Sequence, residues 1–402
     1  MKHILIIDLS FAGHHTIYLE NIARAYLNAG CTITISTLKT NSNHSIFFKL
    51  RAEFVDKFDS SFMPVDSCFE KWRPKIGNIG RELINWYIFK KNYVELNSKN
   101  KIDYVLIPYV DCCINSIGFL GSPFGDTKWG GICMQTSIHH ERYKFGNKKS
   151  SFFKNYLFFK FLKSNNLTVL FTIDELLLKY IYELNHELAK RIKYIADPGE
   201  LKGNHTCQSA RESLGIQKSA VIILVFGDIN IRKGIDILVK ALISTDVSNT
   251  LHLLIVGDQD ATVKALFESE EMKKLILDKR VYIKDQFVNK DIQQMAFAAA
   301  DIVWLGYRNH LSMSGVLVLS AISRKVVIAT EAGLIGWYTR EKCLGLTVNI
   351  DYINSIEYAL NKLAEPVNLN NYRLRISDYF DSATWENATR KILLETIGDS
   401  HL

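Results

Sequence analysis

The sequence predicts an α/β protein made of two Rossmann-like domains, each built on a parallel sheet. Short apolar runs typical of buried strands alternate with runs of helical periodicity, first up to about residue 198 and again from residue 220 onward. A polar, irregular stretch at 200–219 separates the two halves. The chain of 402 residues also exceeds what one hydrophobic core usually supports. These observations place a domain boundary near residue 198.

The composition excludes several classes of protein. The chain is 48% apolar and 23% charged, which is ordinary for a globular protein, and its net charge of +7 is too diffuse to indicate nucleic-acid binding. Seven scattered cysteines without a C-x-x-C pair favour a reduced, cytoplasmic protein. The opening stretch MKHILIIDLS predicts a strand that meets Asp8, rather than a signal peptide, and no apolar run is long enough to span a bilayer.

The first half opens with a β-α-β unit, which implies a parallel sheet. A strand at 2–8 is followed by a loop that contains Gly13, His14 and His15, and then by a helix at 16–29. Parallel α/β sheets bind ligands at the carboxyl ends of their strands. Gly13 and His14 are therefore candidate ligand-binding residues. The alternative is that both histidines are ordinary exposed loop residues.

Two later strand ends in the first half carry groups suited to acid–base catalysis. Asp111 lies just past a strand at 102–108, and His139 and His140 follow a strand at 130–137. Because the carboxyl ends of parallel strands converge, we expect these three side chains to line one cleft with the glycine-containing loop. The alternative is that the histidines are structural.

A basic aromatic segment lies at 144–163. It holds six lysines, no acidic residue and a dense set of Phe and Tyr. Basic and aromatic residues on one amphipathic helix are typical of an element that binds an anionic membrane surface. The alternative is a core helix whose lysine side chains extend along the apolar surface and place only their ammonium groups in solvent. No nucleic-acid-binding motif accompanies the segment.

The second half repeats the alternation of strands and helices. A strand at 220–226 precedes a loop at 227–234, and a strand at 251–256 precedes a D-x-D motif at 258–260. Neither half has G-x-G-x-x-G after its first strand, which argues against a dinucleotide oxidoreductase, and there is no Walker A motif. Two carboxylates at D-x-D spacing could hold a divalent cation, but we expect no bound metal.

A phosphate site is predicted where a polar loop leads into a buried helix. After a strand at 301–305, the loop reaches Ser312 and Ser314, and Gly315 opens an apolar helix. The start of a helix presents unpaired N–H groups and the positive end of its dipole, and small residues let a phosphate approach the backbone. The alternative is that a serine caps the helix without a ligand.

Several stretches, in this order, resemble the GT-B glycosyltransferases, family 4 in particular. They are GDINIRKGIDIL at 227–238, LLIVGD at 253–258, ADIVWLGY at 300–307 and SAISRKVVIATEAGLIG at 320–336. Trp385 and Glu386 resemble the pair that opens the last helix of that family, which crosses back to the first domain. The resemblance implies two Rossmann-like domains facing each other across a cleft. It assigns 1–198 to the acceptor, 199–384 to the nucleotide-sugar donor, and a helix at about 385–402 that packs on the first domain.

The resemblance also implies how the donor diphosphate is held. The family has a basic residue and a lysine after the first strand of the second domain, and Lys233 matches the lysine. The usual Gly-Arg is Gly227-Asp228 here, so we expect Arg232 to supply the missing charge. A diphosphate needs such neutralisation because its charge grows as the sugar leaves.

Two further family features fall on serines in this chain. Ser312 and Ser320 stand where the family usually has two glutamates, whereas Ser314 and Gly315 fall where its glycines approach the phosphates. We expect all four to contact the donor. A serine keeps only one hydroxyl hydrogen bond where a carboxylate would bind bidentately, so the way in which the ribose and sugar are held is altered.

The family places an acidic or histidine residue near the anomeric carbon, and Asp111, His139 and His140 are the matching catalytic candidates. We therefore expect a metal-independent, retaining glycosyltransferase without a cofactor. It would move sugar from a nucleotide-sugar donor to a glycan or lipid-linked acceptor at the inner membrane face. The alternatives are a non-catalytic nucleotide-sugar-binding paralogue, a GT-B epimerase and a membrane scaffold.

Overall fold

The computed structural model describes residues 1–64, 77–145, 152–244 and 246–398. The chain forms two compact units. The first unit comprises Met1–Ile195 together with Trp385–Leu402, and the second comprises Ala196–Thr384. The division falls between Ile195 and Ala196, close to the boundary predicted near residue 198. Among the described residues, no helix is both long and apolar enough to cross a bilayer.

The first unit is a seven-stranded parallel sheet in the order β3-β2-β1-β4-β5-β6-β7. Its strands are β1 (His3–Ile7), β2 (Thr32–Leu38), β3 (Phe58–Met63), β4 (Tyr104–Ile107), β5 (Lys128–Cys133), β6 (Leu167–Thr172) and β7 (Ile192–Tyr194). Its helices are α1 (His15–Asn28), α2 (Ser45–Glu53), α3 (Asn78–Lys99), α4 (Ile114–Leu120), α5 (Phe152–Leu162), α6 (Glu175–Leu184), α7 (His186–Ala189) and α17 (Trp385–Ile397). Helix α17 packs on α1, where the rings of Tyr18 and Trp385 lie 4.8 Å apart.

The second unit is a six-stranded parallel sheet in the order β10-β9-β8-β11-β12-β13. Its strands are β8 (Val221–Phe226), β9 (Leu251–Val256), β10 (Val281–Lys284), β11 (Ile302–Leu305), β12 (Val326–Thr330) and β13 (Gly345–Val348). Its helices are α8 (Cys207–Ser213), α9 (Ile235–Ile243), α10 (Ala261–Phe267), α11 (Glu270–Leu277), α12 (Lys290–Ala299), α13 (Gly315–Ile322), α14 (Gly333–Glu341), α15 (Ile353–Ala364) and α16 (Pro366–Arg375).

The central strands are mostly apolar and buried because helices cover both faces of each parallel sheet. All residues of β9 and β11, for example, are buried. In each sheet the chain runs outward in one direction from a central strand and then returns to that strand's other side. The reversal lies between β1 and β4 in the first unit and between β8 and β11 in the second. Ligands of open α/β sheets bind at the carboxyl ends of the strands at such a switch point.

Candidate functional site

At the switch point of the second unit, the loops that follow β8, β9 and β11 pack backbone against backbone. A Cβ at Gly257 would collide with the carbonyl oxygen of Gly227, and a Cβ at Gly234 would collide with that of Gly306. Gly234 also has a φ of 65°, a left-handed conformation that other residues adopt only at a cost. These glycines therefore fix the positions of the side chains that the three loops carry.

Lys233 is buried at the carboxyl end of β8, with 5% of its surface exposed. Its Nζ donates to the carbonyl of Phe226 and lies 5.5 Å from the ring centroid of Tyr307. The indole of Trp304 donates to the Lys233 carbonyl at 2.8 Å, which fixes its backbone. Within the described ranges, no carboxylate pairs with this ammonium. A buried cation without a counter-ion is costly, so the site is suited to an anionic ligand.

Arg232 provides a second cation beside the same ring. Its guanidinium lies 5.5 Å from the ring centroid of Tyr307, and its Nη1 donates to Nδ1 of His310 over 3.3 Å. Nε2 of His310 lies 3.1 Å from the Met313 carbonyl, so Nε2 carries the proton and Nδ1 is free to accept. Burial lowers the pKa of His310, and the charges of Arg232 and Lys233 lower it further against the opposing Met313 carbonyl. The imidazole is thus neutral at neutral pH and orients Arg232.

The other charged side chains near Arg232 and Lys233 are either paired with each other or exposed to solvent. The guanidinium of Arg308 makes a bidentate ion pair with Asp236. The backbone N–H of Arg308 donates to the Arg232 carbonyl at 2.7 Å. Asp228, which stands where the resembling family has arginine, is exposed and accepts a 3.4 Å hydrogen bond from Asn230. Arg232 and Lys233 are therefore the cations that this edge of the sheet offers to a ligand.

The serines of the loop before α13 differ from one another. Ser312 is half-buried, and within the part of the chain that the structure describes its hydroxyl has no hydrogen-bond partner. Ser314 precedes the helix but its side chain makes no capping hydrogen bond, and Gly315 is the first helical residue. Ser320, which the sequence predicts to contact the donor, is fully buried, and its hydroxyl donates to the Val316 carbonyl at 2.7 Å. Ser320 therefore lies in the core, away from the loop edge.

The D-x-D motif has a local structural role. Asp260 caps α10 by accepting the Val263 N–H at 2.8 Å, which accounts for that carboxylate without an ion. The described residues contain no group of three or more His, Cys, Asp or Glu side chains arranged to hold a metal ion.

In the first unit, the loop after β1 brings together a pair that the sequence did not predict. Nδ1 of His15 lies 2.9 and 3.0 Å from the two carboxylate oxygens of Asp8, and its ring stacks on Tyr109 with centroids 3.5 Å apart. Gly13 has a φ of 59° with open space around it, and His14 is exposed and makes no cap for α1. The signal available in the sequence was the position of Asp8 directly after the first strand.

Asp111, a predicted catalytic residue, is held by the chain that follows β5. Its carboxylate accepts the backbone N–H groups of Met134 and Gln135, both at 2.8 Å, and lies 3.4 Å from the Cys133 sulfur. Burial raises the pKa of Asp111 against these hydrogen bonds. The carboxylate thus fixes the chain just after β5, which ends at Cys133 and does not continue to 137 as predicted.

His139, another predicted catalytic residue, has no exposed surface. Its Nε2 lies 2.9 Å from Oδ2 of Asp174, outside hydrogen-bonding alignment. Asp174 in turn caps α6 through Oδ1, which accepts the N–H groups of Leu176 and Leu177. His139 is therefore a core residue. His140 is buried beside it at a ring-centroid distance of 4.8 Å.

We expect His140 to make the fold sensitive to acid. The pKa of His140 is lowered from 6.5 to about 4, mainly by burial and also by the nearby His139, while Asp174 opposes the shift. Between pH 6.5 and about 4, the unfolded chain binds a proton that the folded chain does not, so stability falls as the pH falls. At roughly 1.4 kcal/mol per unit, and after allowance for solvent screening, this contribution is on the order of 2 kcal/mol.

Urea unfolding of His140→Gln at pH 7 and pH 4.5 measures that contribution. The variant is expected to lose less stability than the wild type between the two conditions. His186→Gln is the matched control, because His186 is exposed in the same unit. Equal losses in His140→Gln and the wild type would show that His140 titrates normally.

Part of the second unit is similar to a described family. Residues 220–365 match the family model described as Glycosyl transferases group 1. This segment lies wholly inside the second unit and includes Arg232, Lys233 and the loop before α13. No curated protein sequence matches the chain.

The whole chain is similar in fold to solved structures. Sucrose-phosphate synthase from Thermosynechococcus elongatus is 17% identical with a TM-score of 0.65, over 98% of this chain and 97% of that one. HepE from Anabaena in complex with UDP is 13% identical with a TM-score of 0.67, over 98% of both chains. WaaG, a glycosyltransferase involved in lipopolysaccharide biosynthesis, is 13% identical with a TM-score of 0.62, over 98% of this chain and 100% of that one. These similarities confirm the predicted GT-B fold class.

Proposed function

We propose that this chain, whose second unit is similar to the group 1 glycosyl transferases, transfers a sugar from a nucleotide-sugar donor to a glycan or lipid-linked acceptor. The observation that carries the proposal is the buried ammonium of Lys233, which lies at the switch point of the second unit without a carboxylate partner among the described residues. Arg232 and the start of α13 add positive potential at the same loops.

This arrangement suits a diphosphate. Lys233 and Arg232 flank the ring of Tyr307, and the unengaged hydroxyls of Ser312 and Ser314 offer hydrogen-bond donors to phosphate oxygens. Charge develops on the diphosphate as the bond to the sugar breaks, and fixed cations stabilise that charge more than the ground state. HepE was solved with UDP, which makes UDP the first nucleotide to test.

We assign acceptor binding to the first unit. Helix α5, within the basic aromatic segment, leaves aromatic side chains in solvent: Phe152 is 86% exposed, and Phe153 and Tyr156 are each 50% exposed. Lys154 and Lys160 are exposed on the same helix. These features favour attachment to an anionic membrane and hence a lipid-linked acceptor. Residues 146–151 of the segment, which include Lys148 and Lys149, lie outside the described residues.

Helix α4 adds to the same surface. A Cβ at Gly118 would collide with the backbone carbonyl of Leu157, so α4 and α5 pack with their backbones in contact. Phe119 is 69% exposed and Leu120 is 45% exposed at the end of α4. WaaG, which is similar in fold, is described as acting in lipopolysaccharide biosynthesis, and this supports a lipid-linked or glycan acceptor for the present chain.

A thermal-shift screen of nucleoside diphosphates and nucleotide sugars is the first test of the proposed function. We expect one diphosphate and its sugars to raise the melting temperature, because binding to the folded state stabilises it. Sugar nucleotides that bind are then incubated with membrane lipid extracts and glycan acceptors, and the product is identified by mass spectrometry. Binding without transfer or hydrolysis would indicate a non-catalytic protein, and an epimerised sugar nucleotide would indicate an epimerase.

We expect transfer to proceed without a divalent metal. The charge of the diphosphate would be met by Lys233, Arg232 and the N-terminus of α13 rather than by an ion. Activity is therefore expected to survive saturating EDTA with less than about a twofold change, well below the factor for a lost charged hydrogen bond. Loss of activity that manganese or magnesium restores would contradict this and assign a metal role to Asp258 and Asp260.

The resemblance favours retention of configuration at the anomeric carbon. The serines at 312 and 320 remove two carboxylates from the pattern on which that expectation rests. Proton NMR of the first-formed product gives the anomeric configuration directly, and an inverted product would contradict the expectation.

A further inference from the structure

We propose that His310 is a positioning residue for the donor, which holds the guanidinium of Arg232 in place to meet the diphosphate. The inference rests on the proposed function, because it concerns the same diphosphate site, and it involves residues of the second unit alone. His310 is not assigned a contact with the ligand. Its effect on donor binding is expected to pass entirely through Arg232.

Arg232 needs such a partner because its side chain is exposed to solvent. A long, exposed side chain samples many rotamers, and it loses that freedom when it binds a ligand. Among the described residues, no carboxylate pairs with the Arg232 guanidinium, and its hydrogen bond to Nδ1 of His310 spans 3.3 Å. A contact that orders the guanidinium before the donor arrives reduces the entropy lost on binding.

His310 is itself fixed within the loop that follows β11. Its Nε2 lies 3.1 Å from the Met313 carbonyl, and its ring meets the ring of Tyr307 edge-on, with centroids 5.5 Å apart. Asn309, the preceding residue, has a φ of 53°, a left-handed conformation that asparagine adopts more readily than most residues. The turn, the hydrogen bond and the ring contact together hold the imidazole, so Nδ1 has a defined position beside Arg232.

The charge state of His310 suits it to this role. Burial lowers the pKa of His310, and the nearby charge of Arg232 lowers it as well, so the imidazole is neutral at pH 7. A neutral imidazole offers a lone pair to the guanidinium and leaves its positive charge uncompensated. A carboxylate would compensate that charge, as Asp236 does in its bidentate pair with Arg308. His310 therefore orients Arg232 without competing with a phosphate.

The same loop also holds the backbone of Arg232. The backbone N–H of Arg308 donates to the Arg232 carbonyl at 2.7 Å, and Nη1 of Arg308 donates to the Ile231 carbonyl at 3.1 Å. Arg232 is thus held at its carbonyl by Arg308 and at its guanidinium by His310. The loop after β11 therefore couples its own position to that of the exposed cation.

The first test measures UDP affinity by isothermal titration calorimetry at pH 7 with the full chain. His310→Ala is expected to weaken UDP binding by about 3- to 10-fold, the effect of one ordinary hydrogen bond. The matched control is His205→Ala, which removes another imidazole of the second unit, one whose Nε2 lies 2.9 Å from Asp291. UDP affinity is expected to be unchanged in this control. An unchanged affinity in His310→Ala would overturn the inference.

A double-mutant cycle shows whether His310 acts through Arg232. Once Arg232→Ala has removed the guanidinium, His310 has nothing to hold, so adding His310→Ala is expected to change UDP affinity less than about twofold. An equal loss in both backgrounds would mean that His310 contacts UDP directly or supports the loop independently, and either result overturns the inference.

Two conservative variants separate the hydrogen bond to Arg232 from the hydrogen bond to Met313. His310→Asn places an amide oxygen where Nδ1 lies and keeps an acceptor for the guanidinium. His310→Gln places an amide nitrogen where Nε2 lies and keeps a donor for the Met313 carbonyl. We expect UDP affinity close to that of the wild type in His310→Asn, and a loss like that of the alanine variant in His310→Gln. The reverse order would assign His310 to the structure of the loop, and this comparison also stands if His310→Ala does not fold.

The outcomes separate the inference from the proposed function. UDP binding by the wild type with equal losses in the two backgrounds, or with tighter binding by His310→Gln than by His310→Asn, overturns the inference alone. A wild type that binds no nucleoside diphosphate or nucleotide sugar overturns the proposed function, and the inference falls with it.

Discussion

Replacing Lys233 with alanine is expected to weaken the binding of UDP by about 1.5–3 kcal/mol, the range for a hydrogen bond to a charged group. That corresponds to a loss of roughly 10- to 150-fold in affinity. The ammonium of Lys233 is buried, so little water screens its attraction for a phosphate. Isothermal titration calorimetry with UDP alone measures the effect without any acceptor.

Two further variants sharpen this experiment. Arg232→Ala is expected to cost less than Lys233→Ala, because Arg232 is exposed and screened by solvent. Lys240→Ala is the matched control: Lys240 is an exposed lysine on α9 of the same unit, so its removal changes the net charge equally. Unchanged UDP affinity in both Lys233→Ala and Arg232→Ala would move the phosphate site away from this loop.

Reversing three exposed lysines at the basic aromatic segment is expected to abolish binding to anionic vesicles. Each lysine near an anionic leaflet contributes about 1 kcal/mol, so Lys154→Glu, Lys160→Glu and Lys163→Glu together cost at least about 3 kcal/mol. That is more than a 100-fold loss in partitioning at roughly 1.4 kcal/mol per tenfold. Co-sedimentation with phosphatidylserine-containing vesicles at low salt measures it, and wild-type binding is expected to fall as salt is added.

The control for this experiment reverses three exposed lysines of the second unit, Lys218, Lys240 and Lys274, and thereby makes the same change in net charge. A second variant replaces Phe152, Phe153 and Tyr156 with serine. It is expected to weaken binding at all salt concentrations, because it removes apolar burial instead of charge. Wild-type protein that ignores anionic vesicles at low salt would leave the lipid-linked acceptor without its main support.

The fold was predictable because both halves follow one rule, in which apolar strands alternate with amphipathic helices and end in short polar loops. The sequence did not predict β3 (FDSSFM), in which half of the residues are polar. Among the described strands, β3 lies at the edge of the sheet and pairs with β2 alone, so its outer residues need not be apolar. A local sequence pattern does not reveal such a strand, because its register is set by its neighbour.

Candidate site residues can be proposed from the sequence where they follow from the backbone, but not where they depend on burial. Lys233 and Ser314 each directly precede a glycine, which the sequence displays. Whether His139 or Ser320 faces a ligand or the core depends on which elements pack over it, and that is fixed by contacts distant in sequence. The pairing of Asp8 with His15 was missed for the same reason, since the loop between them determines it.

The most direct test of the central claim is the release of nucleoside diphosphate by the purified full chain supplied with UDP-hexoses and membrane-derived acceptors. UDP is measured by chromatography, in parallel for the wild type, Lys233→Ala and Lys240→Ala. Our account predicts acceptor-stimulated UDP release by the wild type and Lys240→Ala, and a loss with Lys233→Ala that matches its loss of UDP affinity. Equal release by Lys233→Ala and the wild type would contradict the assignment of the diphosphate site to this loop of the second unit.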